Sequence, residues 1–175
     1  MKKDNIVLIG FMGSGKSTVG IRLSYRLRRV IEDTDKLIEK KTGRSISDIF
    51  ARDGEEAFRT METQLLKELN ENANGKIVAV GGGTPVREEN RPLLKSLGTV
   101  VYLRIRPESV YERLKGDTTR PLLQGDNPRE KIENLMNARK DAYEGSADLI
   151  IDVDDLEVNE IVDIIEKIER SGAEK

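Results

Sequence analysis

The stretch IVLIGFMGSGKST, residues 6–18, constrains the fold of this chain more than any other part of its sequence. A run of branched apolar residues indicates a buried strand, and a helical pattern begins at Lys16. Between them, Gly10 to Ser17 satisfy every fixed position of the pattern G-x-x-x-x-G-K-[ST]. Glycines let such a loop turn tightly with its amide groups pointing inward, and the helix adds the positive end of its dipole. A loop of this kind binds a phosphate chain.

The phosphate loop predicts roles for individual residues. Lys16 is expected to reach the β- and γ-phosphates of a nucleotide, and the Ser17 hydroxyl is the expected Mg²⁺ ligand. The full set of loop residues expected to bind the nucleotide is Gly13, Ser14, Gly15, Lys16, Ser17 and Thr18. A glycine-rich turn that binds nothing is disfavoured, because the motif is complete and lies between a strand and a helix. The motif does not indicate whether the phosphate goes to water, to a switch or to a second substrate.

Composition excludes several kinds of chemistry. The length of 175 residues suits one domain, and the chain contains neither Cys nor His. Without them, catalysis must use Asp, Glu, Lys, Arg, backbone amides or a hard metal ion. The formal net charge of −2 argues against general nucleic-acid binding. The first residues run straight into a strand and no long apolar stretch follows, so we expect no membrane segment, no secretory signal and a cytoplasmic location.

Short apolar runs alternate with helical patterns, which predicts an α/β fold with a parallel sheet. Strands are predicted at 5–10, 30–33, 76–80, 99–105 and 149–153. Helices are predicted at 16–29, 35–41, within 45–54, from 54 onwards, and at 87–97, 108–114, 128–143 and 157–168. Two pairs have capping-box spacing, Ser45 with Asp48 and Asp53 with Glu56. Residues 115–130, rich in Gly and Pro, are predicted to be a functional lid or a disordered loop.

An acidic pair follows the second predicted strand, in the sequence EDTD at 32–35. Ligands of open α/β sheets bind at this carboxyl edge. In an extended segment Asp33 and Asp35 would face opposite sides, one toward Mg²⁺ and phosphate and the other toward a second substrate. A carboxylate that holds a substrate hydroxyl can accept its proton during phosphoryl transfer. The alternative that Thr34 or Asp35 only caps the following helix is equally open.

Three arginines and a glycine run have two interpretations each. Arg59 and Arg139 are either exposed helix residues or forks for a substrate carboxylate, and taken singly both are expected to be solvated. The glycines at 81–83 form a flexible turn or, as we favour, let a ligand approach the backbone closely. Arg120, in the predicted lid, is either an ordinary loop residue or a charge that neutralises the transferring phosphate.

Six motifs, GFMGSGKST, DTD, FRTME, GGGT, TTRPLL and RKDAYEGSAD, occur in an order and at spacings that resemble the shikimate kinases, relatives of the nucleoside monophosphate kinases. The resemblance covers residues 4–168 and implies one P-loop kinase domain over 1–175. It implies a three-layer α/β/α sandwich with a five-stranded parallel sheet of order 2-3-1-4-5, a shikimate-binding segment at about 33–62 and a mobile lid at about 115–127. The implied reaction transfers the γ-phosphoryl group of ATP, with Mg²⁺, to the 3-hydroxyl of shikimate, in aromatic amino-acid biosynthesis.

On the nucleotide side, the resemblance implies that Lys16 stabilises the phosphates and that Ser17 and Asp33 hold Mg²⁺. Arg120 would act from the lid, and Arg113 would stack near the adenine.

On the acceptor side, the resemblance implies that Asp35 binds the shikimate hydroxyls and is the best candidate base. Arg59 and Arg139 would clamp the carboxylate, with Glu62 orienting them and the glycines Gly81, Gly82 and Gly83 lining the site. The partners implied are shikimate and ATP, without nucleic acid or membrane, and we expect a monomer.

One departure from the family pattern precedes the acidic pair. Arg28, Arg29 and Glu32 occupy a stretch where the family often has Gly and apolar or aromatic residues, so we expect an effect on local strand geometry.

Other functions stay as alternatives. A gluconate kinase would share the phosphate loop and lid, but the paired arginines favour a cyclic acid. A non-catalytic nucleotide-binding module is less favoured, since Lys16, Asp33, Asp35 and Arg120 are all present. A simple ATPase is disfavoured further, because no residue is obviously placed to activate water. A GTPase-like switch is disfavoured, because NARKD at 137–141 lacks the spacing of a guanine-reading motif.

Overall fold

The computed structural model describes residues 3–118 and 125–173. Within them the strands are β1 (Ile6–Ile9), β2 (Ile31–Asp33), β3 (Ile77–Ala79), β4 (Thr99–Arg104) and β5 (Leu149–Asp152). The helices are α1 (Lys16–Leu27), α2 (Thr34–Thr42), α3 (Ile46–Asp53), α4 (Glu55–Asn72), α5 (Asn90–Leu97), α6 (Pro107–Leu114), α7 (Pro128–Ser146) and α8 (Val158–Ala173). A short 3-10 turn, Thr84–Val86, precedes α5. Each predicted strand and helix is confirmed, with ends that shift by up to five residues.

The strands described form one parallel sheet in the order β2-β3-β1-β4-β5. The order agrees with the one that the resemblance implied. The central strand β1 is fully buried along its length, as expected for a parallel strand with both faces covered by helices. Its register places Ile6 beside Ile77 on one side and Thr99 on the other. The carboxyl ends of β2, β3 and β1 therefore lie side by side, and the three motifs that follow them meet at one edge.

Helices cover the sheet, and each contributes an apolar stripe to one continuous core. Helix α8 packs on α1, and α4 packs between α3 and α5. In the part of the chain that the structure describes, no helix combines the length and the apolar character needed to cross a bilayer.

The start of α2 differs from the prediction. Asp33 is the N-cap, because its Oδ1 accepts hydrogen bonds from the amides of Asp35 at 3.0 Å and Lys36 at 3.2 Å. The cap is therefore neither Thr34 nor Asp35. The two aspartates do not lie on one extended segment, the condition for strand alternation to separate them, since the helix begins at Thr34 and places Asp35 in its first turn. Helical rotation, rather than strand alternation, separates the two carboxylates.

One of the two predicted capping boxes is wrong. Ser45 Oγ accepts from the amide of Asp48 at 3.1 Å and caps α3 as expected. Asp53, however, is the last residue of α3 and pairs with Arg44, so Gly54 alone connects α3 to α4 and serves as the N-cap without a side chain. The connection is too short for Asp53 to cap α4.

The charged residues before the acidic pair are accommodated by ion pairs. Arg29 contacts Glu169 of α8 at 2.9 Å and Asp4 at 3.2 Å. Glu32 pairs with Lys76, which precedes the neighbouring strand. The expected disturbance is absent, because β2 runs parallel to β3 in continuous register.

Candidate active site

The loop between β1 and α1 has the backbone shape that its glycines predict. Gly13 and Gly15 have φ of 78° and 95°, in the left-handed region that side chains rarely allow. Lys16 opens α1, and its ammonium group donates to the carbonyl oxygens of Gly10 at 2.7 Å and Phe11 at 3.0 Å. The loop thus carries a fixed positive charge beside the N-terminus of α1.

A cavity, here called the loop cavity, lies over this loop and the ends of β2 and β3. Its lining residues are Met12, Gly13, Gly15, Lys16, Ser17, Thr18, Asp33, Asp35, Lys36, Ala79, Val80, Gly81 and Gly82. Five of the six loop residues predicted to bind the nucleotide are in this set. The sixth, Ser14, is 2% exposed and its amide donates to the carbonyl of Phe11, so its side chain faces the interior.

Ser17 and Asp33 meet at the floor of the loop cavity. Ser17 Oγ lies 3.3 Å from Asp33 Oδ2, while the other carboxylate oxygen caps α2. A hydroxyl and a carboxylate oxygen are hard ligands, and Mg²⁺ in phosphate-binding sites takes one or two such protein ligands together with phosphate oxygens and water. The donor set therefore fits Mg²⁺.

A second cavity, here called the arginine cavity, adjoins the first. Its lining residues are Met12, Asp35, Ile46, Phe50, Phe58, Arg59, Glu62, Gly81, Gly82, Gly83 and Arg139. Asp35 lines both cavities, whereas Arg59 and Arg139 line only the second of the two. A small molecule in the arginine cavity would therefore have guanidinium groups and an apolar wall around it and a carboxylate at the boundary with the loop cavity.

Arg139 is buried and the Arg59 side chain is only 12% exposed, so the expectation that both are solvated is wrong. Arg139 is 5% exposed, and Arg59 pairs with Glu62, Nη1 to Oε2, at 2.7 Å. Burial of the Arg59 guanidinium lowers its pKa, but Glu62 and Glu55 outweigh this effect and hold the pKa above its ordinary value. The ring of Phe58 lies 5.3 Å from the Arg59 guanidinium carbon and fixes it further. Arg59 is thus a rigid, permanently charged group.

The glycine run after β3 lies against charged side chains of the same chain. A Cβ on Gly81 would lie 2.5 Å from Glu62 Oε1, and one on Gly83 would lie 2.3 Å from the Arg59 guanidinium. Side chains of the protein therefore pack closely against this backbone, and the approach of a ligand to it stays a prediction. These glycines let residues of α2, α4 and α7 converge on one cavity.

Two threonines hold this arrangement together. Thr34 Oγ1 accepts a hydrogen bond from the Gly81 amide at 3.0 Å and ties the acidic segment to the glycine run. Thr84 Oγ1 donates to Glu62 Oε1 at 2.6 Å, so that the buried carboxylate has a partner on each oxygen.

The remaining predicted residues lie around the loop. Arg113, at the end of α6, is exposed and donates to the carbonyl of Gly13 at 2.8 Å, which places it at the rim of the loop cavity. Arg120 lies outside the described residues, as does the central part of the predicted lid.

Sequence reasoning missed part of the site. Ile46, Phe50 and Phe58 form its apolar wall, but helical periodicity assigns Phe58 only to a core stripe. Thr34 and Thr84 could have been predicted as site residues from their positions, because they lie next to predicted site residues in the motifs DTD and GGGT.

Known proteins share both the sequence and this architecture. The shikimate kinase family profile matches residues 12–169. A shikimate kinase of Geobacter sulfurreducens is 46% identical over 90% of this chain and 86% of its own length. One of Thioalkalivibrio sulfidiphilus is 43% identical over 95% of this chain and 87% of its own.

Solved structures agree with the sequence relatives. The shikimate kinase of Acinetobacter baumannii in complex with shikimate superposes with a TM-score of 0.93. It is 38% identical, and the match covers 99% of this chain and 96% of that one. Because the sequence and the fold agree, the chain belongs to the shikimate kinase family.

Proposed function

We propose that this protein is an enzyme that transfers the γ-phosphoryl group of ATP to the 3-hydroxyl of shikimate, giving shikimate 3-phosphate and ADP. The reaction is a step of aromatic amino-acid biosynthesis. The observation that carries the proposal is the placement of two arginines, one buried and one largely buried, and one aspartate around a cavity that opens beside the phosphate loop. An acid with several hydroxyl groups needs that combination of charges.

The arginine cavity matches shikimate group by group. Arg59 and Arg139 would bind the carboxylate through charge-assisted hydrogen bonds, each worth about 1.5–3 kcal/mol. Asp35 would accept hydrogen bonds from the ring hydroxyls, and the wall around Phe58 would cover a ring face. The Acinetobacter relative, in complex with shikimate, supports this assignment because its fold is nearly superimposable on this one.

On the nucleotide side, the loop amides and Lys16 would hold the β- and γ-phosphates and stabilise charge that develops during transfer. Ser17 and Asp33 would hold Mg²⁺, which supplies further charge neutralisation when bound. Arg113, at the rim, would contact the nucleotide near its adenine. Arg120 would act on the transferring phosphate from the segment at about 115–127.

Asp35 has the central chemical role in this proposal. Since it lines both cavities, it would orient the acceptor hydroxyl toward the γ-phosphate and take up its proton as the new P–O bond forms. Transfer would then require little more than alignment and electrostatic stabilisation. We further propose that the protein acts as a cytoplasmic monomer without nucleic-acid or membrane partners.

A pair of neighbouring variants tests the acceptor assignment. Arg139→Ala should raise the KM for shikimate by at least about tenfold, because a buried charge-assisted contact is lost, while the KM for ATP stays nearly constant. Lys140→Ala is the matched control, since it removes a positive charge from the next residue of α7, which is exposed. Steady-state rates with each substrate varied separately give both constants.

Equal rises of both KM values for Arg139→Ala would contradict the carboxylate assignment. Gluconate serves as the competing acceptor, and turnover with gluconate but not shikimate would favour the related acyclic-acid kinases.

A further inference from the structure

Tyr143, on α7, is a buried polar residue that the proposed mechanism does not use. It is 1% exposed, and its ring packs on Tyr102 of β4 with 5.0 Å between centroids. Its hydroxyl donates a hydrogen bond to the carbonyl oxygen of Gly82, with 2.5 Å between the oxygens. Gly82 lines both the loop cavity and the arginine cavity. A core side chain therefore reaches the backbone of the site.

Arg139 lies one turn earlier on α7 and approaches the same glycine. A Cβ on Gly82 would be only 3.5 Å from Arg139 Nη1, and the positive charge of Arg139 acts on the pKa of the Tyr143 phenol. Burial raises the pKa of Tyr143, against the smaller effect of Arg139, which lowers it. The phenol consequently stays protonated near neutral pH and keeps its proton for the Gly82 carbonyl.

These contacts join the glycine run to α7, two parts of the site that arise from distant stretches of sequence. The ring of Phe11 supports Arg139 from another side, with the guanidinium carbon 5.6 Å from the ring centroid. A guanidinium held in place before the ligand arrives loses less conformational freedom on binding. The phenol hydroxyl and the Arg139 guanidinium thus both lie against Gly82.

We propose that Tyr143 is a positioning residue of the acceptor site. Its hydroxyl fixes the Gly82 backbone and the neighbouring Arg139 guanidinium in the positions that a carboxylated acceptor needs. This inference rests on the proposed function. It predicts a larger effect on acceptor binding than on nucleotide binding, because Arg139 lines the arginine cavity but not the loop cavity, whereas Gly82 lines both.

The test compares two hydroxyl deletions in stacked rings. Tyr143→Phe keeps the ring and removes the contact with Gly82, and Tyr102→Phe removes a hydroxyl from the partner ring outside both cavities. Thermal unfolding is measured first, and kinetics are run below all melting midpoints. Tyr143→Phe should raise the KM for shikimate by about five- to tenfold, the scale of one lost hydrogen bond with a neutral partner, with kcat and the KM for ATP within about twofold of wild type.

A double-mutant cycle adds a second readout. In an Arg139→Lys background, Tyr143→Phe should raise the KM for shikimate less than it does in the wild type, because both changes disturb one contact. Additive effects would contradict positioning through Arg139.

Each remaining outcome also decides the question. Equal behaviour of the two Phe variants would overturn the inference, as would a Tyr143→Phe protein that has no folded state, since the hydroxyl would then serve the fold itself. Wild-type protein that releases no ADP with shikimate would overturn the proposed function and this inference with it. A failure of the inference alone leaves wild-type turnover intact.

Discussion

Lys16 is the residue whose removal should affect turnover most while affecting the structure least. It stands at the first position of α1 and its ammonium group lies against the phosphate loop. Lys16→Ala should lower kcat by at least ~100-fold, the scale of one missing transition-state donor. Lys40→Ala, an exposed lysine of α2, is the control, and initial rates of ADP release are the measurement. A loss of less than about threefold would contradict the role given to Lys16.

Thr84 tests whether the buried Glu62 needs its hydroxyl donor. Glu62 is 2% exposed, and Thr84→Val would leave one of its oxygens without that hydrogen bond. We expect the free energy of unfolding to fall by about 1–3 kcal/mol, the usual cost of a buried group that loses a partner. Thr60→Val on the exposed face of α4 is the control and should change it by less than about 0.5 kcal/mol. Urea unfolding measures both, and equal effects would refute the prediction.

For single residues, most of the polar and glycine residues that line the two cavities were predictable from the sequence, but their environment was not. The spacing of three residues between Arg59 and Glu62 suits an ion pair on a helix surface, and it suits equally the pair seen here, which is shielded from solvent. The spacing alone therefore does not predict their burial. Their burial depends on α3, which folds over α4 and places Phe50 within 5.1 Å of Phe58. That contact depends on the single-residue connection at Gly54, and local sequence patterns do not report such packing.

Among the secondary-structure elements, α2 has a start that serves two purposes. Asp33 uses one carboxylate oxygen as the N-cap and presents the other to Ser17. Asn caps helices about as well as Asp, so Asp33→Asn should change stability by less than about 0.5–1 kcal/mol, whereas Asp33→Ala should cost about 1 kcal/mol more. Both variants should raise the Mg²⁺ concentration needed for half-maximal rate by about tenfold or more.

Ser45→Ala is the control for capping alone. It should cost about 1 kcal/mol at the start of α3 and leave the Mg²⁺ requirement unchanged. Melting curves combined with Mg²⁺ titrations of the rate separate the two roles. An Asp33→Asn enzyme with an unaltered Mg²⁺ requirement would contradict the metal assignment.

Most elements were predictable because parallel strands and amphipathic helices have strong local patterns. The ends of the elements were less predictable. Helix α7 continues to Ser146, three residues beyond its predicted end, and α5 begins only at Asn90, after a 3-10 turn. Local patterns do not determine which strands are neighbours, because they carry no information about pairing between distant segments. Periodicity predicts a parallel α/β fold, and only the family resemblance implied the strand order.

For the whole molecule, one buried asparagine holds the amino end of the sheet together, opposite the end that carries the two cavities. Asn5, just before β1, is 1% exposed and lies at the amino end. Its Nδ2 donates to the carbonyls of Leu97 at 2.7 Å and Ala73 at 3.3 Å, and its Oδ1 accepts from the Lys76 amide at 2.8 Å. One side chain thus connects the segments that lead into β1, β3 and β4.

Asn5→Ala should therefore lower the free energy of unfolding by about 2–4 kcal/mol, because several buried backbone groups lose their partner. The kinetic constants of the folded protein should change by less than about twofold, since ligands bind at the carboxyl end. Asn74→Ala, an exposed neighbour whose Oδ1 accepts from the Asp4 amide, is the control. Unfolding curves and rates at low temperature test this separation, and a large kinetic change would contradict it.

The proposed reaction moves phosphate from ATP to one cyclic acid and to no other acceptor. The most direct experiment mixes purified protein with Mg-ATP and follows ADP release without an acceptor and with shikimate, gluconate or a nucleoside monophosphate. We predict ADP release that depends on shikimate alone. Release that depends on another acceptor, or ATP binding with no release under any condition, would contradict the proposed function.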